Sequence, residues 1–368
     1  MASLTATAVL LNHQAGLDLE EVARFPSLRV LAWQGSVLYA SRGYTLLRAD
    51  LRTDKPAHIQ WEQVGQFRPP CWRRLTASSR FTLRLCRDGF HALVVLPSGN
   101  LVAAVPGAII TLQAGRTEFI VSHPITRGTR PLHFASTPDR QVYFGEYFDN
   151  PDRGSVHIYR SIDQGGSWQI VHTFSQGAIR HVHNLVYDEW ENCLWVLTGD
   201  YGSECQILRA SLDFRHVDTV MAGNQQARAV MMVPTGDALY FSSDTPLEGN
   251  HVYRLDRGGR LTIVADLASS SIYGCRVGDK IFFSTMVEPS DFNQERDVHI
   301  YGGEGSTWHR LRSWKKDFLP MHFFQYGNAI LPDGNNTSGF LAVTTIAVQG
   351  EDLQTTIFQP GRTKSVDV

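Results

Sequence analysis

The sequence predicts an all-β protein, a seven-bladed β-propeller of four-stranded antiparallel blades, in a single domain over residues 1–368. A short apolar run recurs along the chain with a start-to-start spacing of 41 to 64 residues. A second run, close to His-Ile-Tyr-Arg, follows it in four consecutive units at a spacing of 45 to 49 residues. Turn residues separate the runs, and helical periodicity is nearly absent. The first run stands at 37–40, 101–104, 142–144, 194–197, 239–241, 281–283 and 340–343, and the second at 157–160, 206–209, 251–254 and 299–302.

Each of the seven apolar runs is predicted to be the second strand of a blade. The run at 4–11 is predicted to supply the outermost strand of the last blade, which would close the ring and leave no free edge. Residues 17–25 are predicted to form one or two helical turns. The extra length at about 66–88 is predicted to be a long inserted loop. Its arginines indicate either a solvated face or an anion site: Arg68, Arg73, Arg74, Arg80, Arg84 and Arg87.

Composition excludes several classes of function. Hydrophobic residues make up 43% of the chain and charged residues 19%, which is enough for a core and untypical of disorder. The net charge of -2 gives no basic excess, so we expect no nucleic-acid partner. The apolar stretch at 93–112 is interrupted by a turn at 97–100, so no membrane span is expected. No motif for a nucleotide cofactor is found, and none is expected.

The five cysteines are odd in number and include no C-x-x-C pair, which gives no support for a zinc ribbon or a thioredoxin-type motif. They are predicted to be buried thiols in a reducing compartment. No Lys or Arg precedes Arg24, which is untypical of a secretory signal. We therefore expect a cytoplasmic protein.

One short motif is specific. Residues 161–168 match the Asp-box, S-x-D-x-G-x-[ST]-W, through Ser161, Asp163, Gly165, Ser167 and Trp168. Serine and aspartate side chains accept bonds from turn amides, glycine adopts positive φ, and tryptophan packs between blades. The box is therefore predicted to be a structural turn between the two outer strands of a blade. Degenerate copies stand at 211–213, 256–258 and 305–308.

On this motif the chain resembles Asp-box propellers of the BNR or sialidase type. It is most similar to bacterial glycosyl-hydrolase-like propeller proteins of unassigned function. The segments that carry the resemblance are 145–150, 180–184, 199–202, 224–228 and 324–327. The segment 67–70, FRPP, only partly matches the FRIP-like motif of sialidases, so the resemblance does not extend to sialidase activity.

Function is expected at one mouth of the axial channel. The innermost strand of a blade begins on the face where the antiparallel second strand ends, so side chains at both places converge. Three consecutive blades place His91, His133 and His183 near strand starts, and Gln325 stands near another. These four residues are predicted to bind a divalent metal (Mn, Fe or Zn) on the axis. Axial histidine sites occur in propellers of the oligogalacturonate lyases and carotenoid oxygenases, so this hypothesis is an analogy.

The alternative is a metal-free sugar site on the same face. His183 or His181 would act as general base or acid there, with Glu146 and Asp200 as neighbouring carboxylates. Arginine pairs well with carboxylates, so a substrate acid group is expected on Arg130 and Arg228. The full predicted substrate set is Arg130, Arg228, Asp244, Tyr273, Glu288 and Tyr326.

These residues predict a carbohydrate-active enzyme, a polysaccharide lyase or glycoside hydrolase acting on an acidic glycan, with a carbohydrate or other small molecule as its partner. Two alternatives stay open at this point. One is a non-catalytic propeller scaffold that binds glycans or proteins. The other is a metal-dependent enzyme that acts on a small molecule through axial histidines.

Overall fold

The structure is a computed structural model that describes residues 17–52 and 59–362. Over these residues the strands form seven sheets, the blades of a seven-bladed β-propeller, as predicted. Every one of the seven apolar runs lies in the second strand of its blade, and the four His-Ile-Tyr-Arg-like runs lie in third strands. Two markers of one repeat therefore identified the architecture.

The first half of the chain contains blades one to three. Strand β1 (Leu17–Pro26) comes first. Blade one contains β2 (Arg29–Gly35), β3 (Val37–Arg42), β4 (Thr45–Asp50) and β5 (Glu62–Gln66), and is followed by α1 (Cys71–Thr76) and α2 (Arg80–Cys86). Blade two contains β6 (Ala92–Val95), β7 (Leu101–Val105), β8 (Ala108–Leu112) and β9 (Ile120–Pro124). Blade three contains β10 (Ala135–Ser136), β11 (Val142–Gly145), β12 (Val156–Ser161) and β13 (Gln169–Phe174).

The second half contains blades four to seven. Blade four contains β14 (His181–Asp188), β15 (Cys193–Gly199), β16 (Gln206–Ala210) and β17 (Val217–Ala222). Blade five contains β18 (Ala229–Pro234), β19 (Ala238–Ser243), β20 (Asn250–Asp256) and β21 (Leu261–Leu267). Blade six contains β22 (Ser271–Val277), β23 (Lys280–Thr285), β24 (Asp297–Glu304) and β25 (Thr307–Lys315). Then follow α3 (Met321–Phe324), β26 (Asn328–Ile330), β27 (Asp333–Asn336), β28 (Leu341–Ile346) and β29 (Gln354–Arg362).

Burial falls from the second strand of a blade to the fourth. In blade two, all residues of β7 and β8 are buried, whereas β9 is largely exposed. A strand that is covered on both faces is apolar at consecutive positions and not only at alternate ones. This explains why the second strands were the clearest markers in the sequence.

The hydrophobic core is divided among the contacts between neighbouring blades. Seven clusters of buried side chains are found among the described residues, each shared by two adjacent blades. Burial of apolar area contributes roughly 25 cal/mol per Å². Because each blade has two such contacts, stability depends on a closed ring.

The ring is closed by the N-terminal part of the chain. Strand β1 pairs antiparallel with β29, so blade seven has the order β26-β28-β29-β1. The predicted closing segment, 4–11, lies outside the described residues. The prediction of helical turns at 17–25 is wrong, because pairing with β29 from Leu17 to Pro26 overrides the local preference of the segment.

An additional strand lies on the axial side of blade one. Strand β27 leaves blade seven and pairs parallel with β2, with Ala32 opposite Asp333 and Gly35 opposite Asn336. This pairing gives blade one five strands and places Asp333 inside the channel. Gly334 has a φ of +91°, and a Cβ there would meet the carbonyl oxygen of Trp33 at 2.3 Å. Only glycine fits so close to β2.

The inserted segment at 66–88 is partly helical and not an irregular loop, since it contains α1 and α2. Its arginine Arg84 is only 3% exposed. The Arg84 guanidinium lies 2.6 Å from Asp317 Oδ2 and 3.1 Å from Asp352 Oδ2, and donates to the carbonyl of Phe324 at 2.6 Å. Arg84 therefore anchors α2 to the segment around α3, and its charge is used by the fold. Large apolar side chains of α1 and α2 remain exposed, among them Trp72 and Phe81.

The segment 161–168 forms the turn between β12 and β13, the two outer strands of blade three. Ser161 Oγ accepts from the Gly165 amide at 2.8 Å, and Asp163 Oδ1 accepts from the Ser167 amide at 2.8 Å. Gly165 has a φ of +89°, which only glycine adopts readily. The half-buried Trp168 ring lies 4.9 Å from that of Phe144 and belongs to the cluster between blades two and three. The turn thus connects two blades.

Among the described residues, no helix has both the length and the apolar character that a membrane crossing requires. All five cysteines are free thiols; Cys193, Cys205 and Cys275 are buried, Cys86 is half-buried and Cys71 is exposed. Burial raises the pKa of Cys193 and Cys205 to about 11 and places that of Cys275 far above its ordinary value.

Replacing Trp168 by Ala is expected to lower the free energy of unfolding by about 2 kcal/mol, because the half-buried ring fills part of the contact between blades two and three. The measurement is urea unfolding. Ile162→Ala in the same turn is the control: its side chain is 64% exposed, so a change within about 0.5 kcal/mol is expected. Equal losses in the two variants would contradict the packing role of Trp168.

A thiol reagent is expected to modify only Cys71 and Cys86 in the folded protein, because a thiolate is the reactive form and burial suppresses it at the other three sites. Unfolding in guanidinium should expose all five thiols. The double variant Cys71→Ser, Cys86→Ser should not react while folded. Rapid modification of that variant would show that the cores between blades open readily.

Candidate functional site

The candidate site is built at the start of the innermost strand of blade four. His181 opens β14 and pairs with Gly199 of β15, and Val182 pairs with Thr198. The register then shifts, so His183 has no residue opposite it on β15. Such a bulge turns one side chain away from the regular ladder. Asp200 follows the end of β15 directly and therefore reaches the same place. We refer to His181, His183 and Asp200 as the blade-four cluster.

One polar atom of each side chain in the blade-four cluster lies close to one polar atom of the other two. His183 Nε2 lies 3.1 Å from His181 Nε2 and 3.2 Å from Asp200 Oδ1. His181 Nε2 lies 3.5 Å from the same carboxylate oxygen. The three residues are 3% to 9% exposed. Among the described residues, this is the group of histidine, cysteine and acidic side chains close enough to share one metal ion.

Backbone carbonyls orient both imidazoles. His181 Nδ1 lies 3.0 Å from the carbonyl oxygen of Phe148, and His183 Nδ1 lies 2.9 Å from that of Ala229. A carbonyl oxygen can only accept a hydrogen bond, so each Nδ1 carries the proton. In the neutral imidazoles, both Nε2 atoms therefore direct lone pairs toward each other and toward Asp200.

Charged groups surround the cluster. Arg180 Nη1 lies 3.2 Å from Asp200 Oδ2, and the other end of Arg180 pairs with Asp149. Arg228 Nη2 lies 3.5 Å from Asp200 Oδ1 and 3.6 Å from Asp244 Oδ2. Each arginine is thus shared between two carboxylates.

Burial and hydrogen bonding act in opposite directions on these groups. Burial acts to raise the pKa of Asp200, but His181 and His183 in their protonated form hold it well below its usual range. Burial lowers the pKa of His183, against the effect of Asp200. Burial raises the pKa of Asp244 to about 7, although the charge of Arg228 opposes the shift. The site therefore holds carboxylates of unequal acidity.

Gly199 allows His183 to occupy its place. A Cβ on Gly199 would lie 2.5 Å from His183 Cε1 and 3.2 Å from its Nε2. Any side chain at this position would displace the imidazole or the strand. The close approach of β15 to His183 therefore requires glycine.

A second polar group lies in the channel beside blades one to three. Burial, together with the nearby charges of Arg29 and Arg87, lowers the pKa of Arg130 to about 10. Burial lowers the pKa of His91, and the positive charges of Arg130 and Arg29 act in the same direction. Within the described residues, Arg29 Nε, Arg130 Nε and His91 Nδ1 are buried atoms with no hydrogen-bond partner. We refer to Arg29 and Arg130 as the channel arginines.

Tyr147 links the two groups. Its ring centroid lies 4.3 Å from that of His181. Burial raises the pKa of Tyr147 to about 12, and the charges of Asp200, Asp244, Arg130 and Arg228 also act on it. The blade-four cluster and the channel arginines thus belong to one polar region of the channel.

The structure corrects the metal-ligand set predicted from the sequence, because His91, His133, His183 and Gln325 do not converge. Only His183 belongs to the blade-four cluster. The reason is register: the innermost strand begins one residue after His91 and two after His133, but two before His183. Gln325 follows α3 and lies outside any strand. Each of the other three residues has its own partner. His91 Nε2 lies 2.6 Å from the carbonyl oxygen of Arg87, and His133 Nδ1 lies 2.9 Å from Asp333 Oδ2. Gln325 Nε2 donates to the carbonyl oxygen of Arg84 at 3.1 Å.

The other predicted site residues are divided between the channel and its surroundings. Arg228 and Asp244 lie beside the blade-four cluster, and Glu288 acts on both through its charge. Tyr273 lies near the channel arginines, and its ring centroid is 6.1 Å from that of His133. Tyr326 is 37% exposed.

Glu146 is not part of the blade-four cluster. Its Oε1 accepts from Arg127 Nε at 3.0 Å, and its Oε2 accepts from the amide of His157 at 2.8 Å. The carboxylate therefore closes the end of blade three and is not available as a catalytic partner of His183.

Sequence reasoning missed Arg29, Tyr147 and Arg180. Arg29 could have been found from the sequence. It stands ahead of the apolar run at 37–40 in blade one, just as the three histidines stand ahead of the apolar runs of their blades. Blade one was left out of that comparison. Arg180 directly precedes His181. Tyr147 lies within the segment 145–150 but was given no role, since it stands in the loop between β11 and β12 and only folding brings its ring to His181.

Comparison with known proteins supports the fold. No family model matches the chain, and no curated protein matches it in sequence. The WD40 β-propeller domain of Doa1 is similar with a TM-score of 0.54 and 12% identity, over 93% of this chain and 96% of that one. A chain of the mitotic checkpoint complex is similar with a TM-score of 0.52 and 11% identity, over 99% of this chain and 100% of that one. At such identities the likeness shows the propeller fold alone, so function has to be argued from the channel residues.

Replacing Gly199 by Ala is expected to lower the free energy of unfolding by about 1–3 kcal/mol, because the new Cβ would overlap the His183 ring. Urea unfolding is the measurement. Gly361→Ala is the matched control, since a Cβ there meets no atom within 4 Å. If both variants unfold at the same urea concentration as the parent, the contact between β15 and His183 is looser than described.

Proposed function

We propose that this protein is an enzyme that acts on an acidic carbohydrate in the axial channel. The channel arginines would bind the acid group of the substrate. The blade-four cluster would carry out the chemistry. The observation that carries the proposal is the pair of channel arginines, whose buried Nε atoms have no partner among the described residues.

The electrostatics of the channel favour an anionic ligand. Arg29, Arg87 and Arg130 lie close enough for the charges of Arg29 and Arg87 to lower the pKa of Arg130. A buried charge without a counter-charge is unfavourable, and an anion between the guanidinium groups would relieve both the burial and the repulsion. Arginine offers paired N–H donors that match the two oxygens of a carboxylate.

The neighbouring side chains favour a sugar as the body of the ligand. Tyr147 lies near Arg130, and Tyr273 lies near Arg29 and Arg130. Tyr201 is 45% exposed next to Arg228. Tyrosine combines an apolar face with a polar tip, which suits a ligand that has both CH groups and hydroxyls. A sugar that carries a carboxylate, a uronic acid, fits this combination.

The blade-four cluster supplies the reacting groups in this proposal. Both a lyase and a glycoside hydrolase need a group that takes or delivers a proton at the reacting centre. His181, His183 and Asp200 bring two imidazoles and a carboxylate within 3.5 Å of one another, beside Arg228. The lyase product carries a new C=C bond, whereas the hydrolase product carries an added water, so product analysis distinguishes the two reactions.

The kinship with Asp-box propellers remains part of the proposal. It is supported by the hydrogen bonds of Ser161 and Asp163 in the outer turn of blade three. A cytoplasmic location also remains a prediction.

The proposal is tested by calorimetry with galacturonate oligomers and, as the neutral probe, galactose oligomers of the same length. The galacturonate oligomer is expected to bind at least tenfold more tightly. Arg29→Ala and Arg130→Ala should each weaken its binding roughly tenfold to a hundredfold, because a hydrogen bond to a charged group contributes about 1.5–3 kcal/mol. Turnover should release either unsaturated products or new reducing ends.

Arg116→Ala is the matched control, since Arg116 is exposed in the turn before β9 and should leave binding unchanged. Urea unfolding of each variant separates lost binding from lost folding. Equal binding of the acidic and neutral oligomers, or full binding by folded Arg29 and Arg130 variants, would overturn the proposal. Binding without turnover would favour the non-catalytic scaffold.

A further inference from the structure

We propose that His181 Nε2, His183 Nε2 and Asp200 Oδ1 bind one divalent transition-metal ion, with zinc as the representative. This set differs from the one predicted from the sequence and shares only His183 with it. The inference concerns other atoms than the channel arginines and does not depend on the substrate proposed above. It changes how the cluster would react: with the three ligand atoms on the ion, a water at the open position, and not an imidazole, would take or deliver the proton.

The first argument is the orientation of the imidazoles. Because both Nδ1 atoms donate to backbone carbonyls, the two Nε2 atoms are acceptors in neutral imidazoles. Asp200 Oδ1 is an acceptor as well. Three acceptor atoms within 3.5 Å of one another repel unless a positive charge lies between them. A cation or a proton must occupy that place.

The second argument is distance. Zinc bonds to histidine nitrogen and carboxylate oxygen are about 2.0–2.2 Å long, so ligand atoms in a tetrahedral site lie about 3.3–3.5 Å apart. The three separations here are 3.1, 3.2 and 3.5 Å. One ion would reach all three atoms with little movement of the side chains, and at least one position would stay open for water or substrate.

The third argument is the outer layer of the site. A histidine that binds a metal usually donates its other ring N–H to a carbonyl or carboxylate, which fixes its orientation. His181 and His183 both do so, to Phe148 and Ala229. Arg180 binds Asp200 through Oδ2 and thereby leaves Oδ1 directed at the imidazoles.

The carboxylates near the cluster also favour a cation. Arg180 is shared between Asp149 and Asp200, and Arg228 is shared between Asp200 and Asp244, so the carboxylates outnumber the guanidinium groups by one when Asp244 is ionised. Glu288 adds a further negative charge that acts on Arg228. Arg228 Nη2, at 3.5 Å from Asp200 Oδ1, is the nearest positive group that opposes the ion, and Asp244 partly neutralises it.

The alternative occupant is a proton held between the imidazoles and Asp200. A proton on one Nε2 would satisfy the same acceptors without any metal. The two cases differ in a zinc titration: a metal site exchanges that proton for the ion, whereas a cluster that serves only to hold the proton takes up no zinc at micromolar concentrations.

The test is calorimetric titration of the full chain with ZnCl₂ after dialysis against EDTA, together with elemental analysis of the protein before dialysis. One zinc ion per chain is expected at micromolar affinity or tighter. His181→Gln and Asp200→Asn are each expected to weaken zinc binding by at least a hundredfold. His157→Gln is the matched control and should bind zinc as the parent does, because His157 lies outside the cluster and contacts Thr173.

Circular dichroism and urea unfolding show whether each variant keeps the propeller fold. Absence of zinc binding at micromolar concentrations in the folded parent would overturn the proposal and leave the proton in place. Undiminished binding in folded His181→Gln and Asp200→Asn would overturn it as well. Neither result bears on the affinity for galacturonate oligomers, so failure here is distinguishable from failure of the proposed function.

Discussion

Pairing of β1 with β29 is the constraint on which the rest of the structure depends. Each blade is stabilised by clusters shared with both neighbours, so an open ring would leave two blades with one exposed side each. The closing pair joins residues more than 300 positions apart, as the contact between Arg24 and Glu351 illustrates. Loops of this length add little further to the entropic cost of closure, since that cost grows only with the logarithm of length. The channel residues keep their geometry because the ring holds all seven blades in register.

The blades share one backbone pattern at the start of the innermost strand, but they carry different side chains at one position of that pattern. His181 pairs with Gly199 just before a bulge in β14, and the carbonyl of Arg228 accepts from the Asp244 amide just before a bulge in β18. Ser270 stands at the same point before β22, where its carbonyl accepts from Met286. The same position therefore carries an imidazole, a guanidinium and a hydroxyl in successive blades. The chemical differences between these blades therefore arise at this position, while the strands keep one pattern.

The fold could be predicted from the sequence because strands buried on both faces leave continuous apolar runs, as at 101–104 and 194–197. The closing strand could not be predicted, because Leu17–Pro26 is held as a strand by its pairing with β29 at the other end of the chain. The site was predicted in part: His181, His183, Asp200, Arg228 and Asp244 do lie together. The ligands of the proposed metal site were not predicted, because a bulge and a shift of strand start decide which side chains meet, and neither leaves a trace in composition or spacing. Tyr147 reaches the site from a loop, where no periodicity applies.

The channel arginines also affect how a ligand would reach the site. Positive groups inside a narrow, low-dielectric opening concentrate the electric field along its axis and accelerate the capture of anions from solution. The screening length at physiological ionic strength is about 8 Å, so this attraction acts only over the last stretch of the approach. Association of an acidic ligand should therefore slow as salt is added, while the carboxylates around Arg228 repel anions from the side of blades four and five. The channel would thereby orient an acidic molecule before any contact is made, with its charged end toward blades one to three.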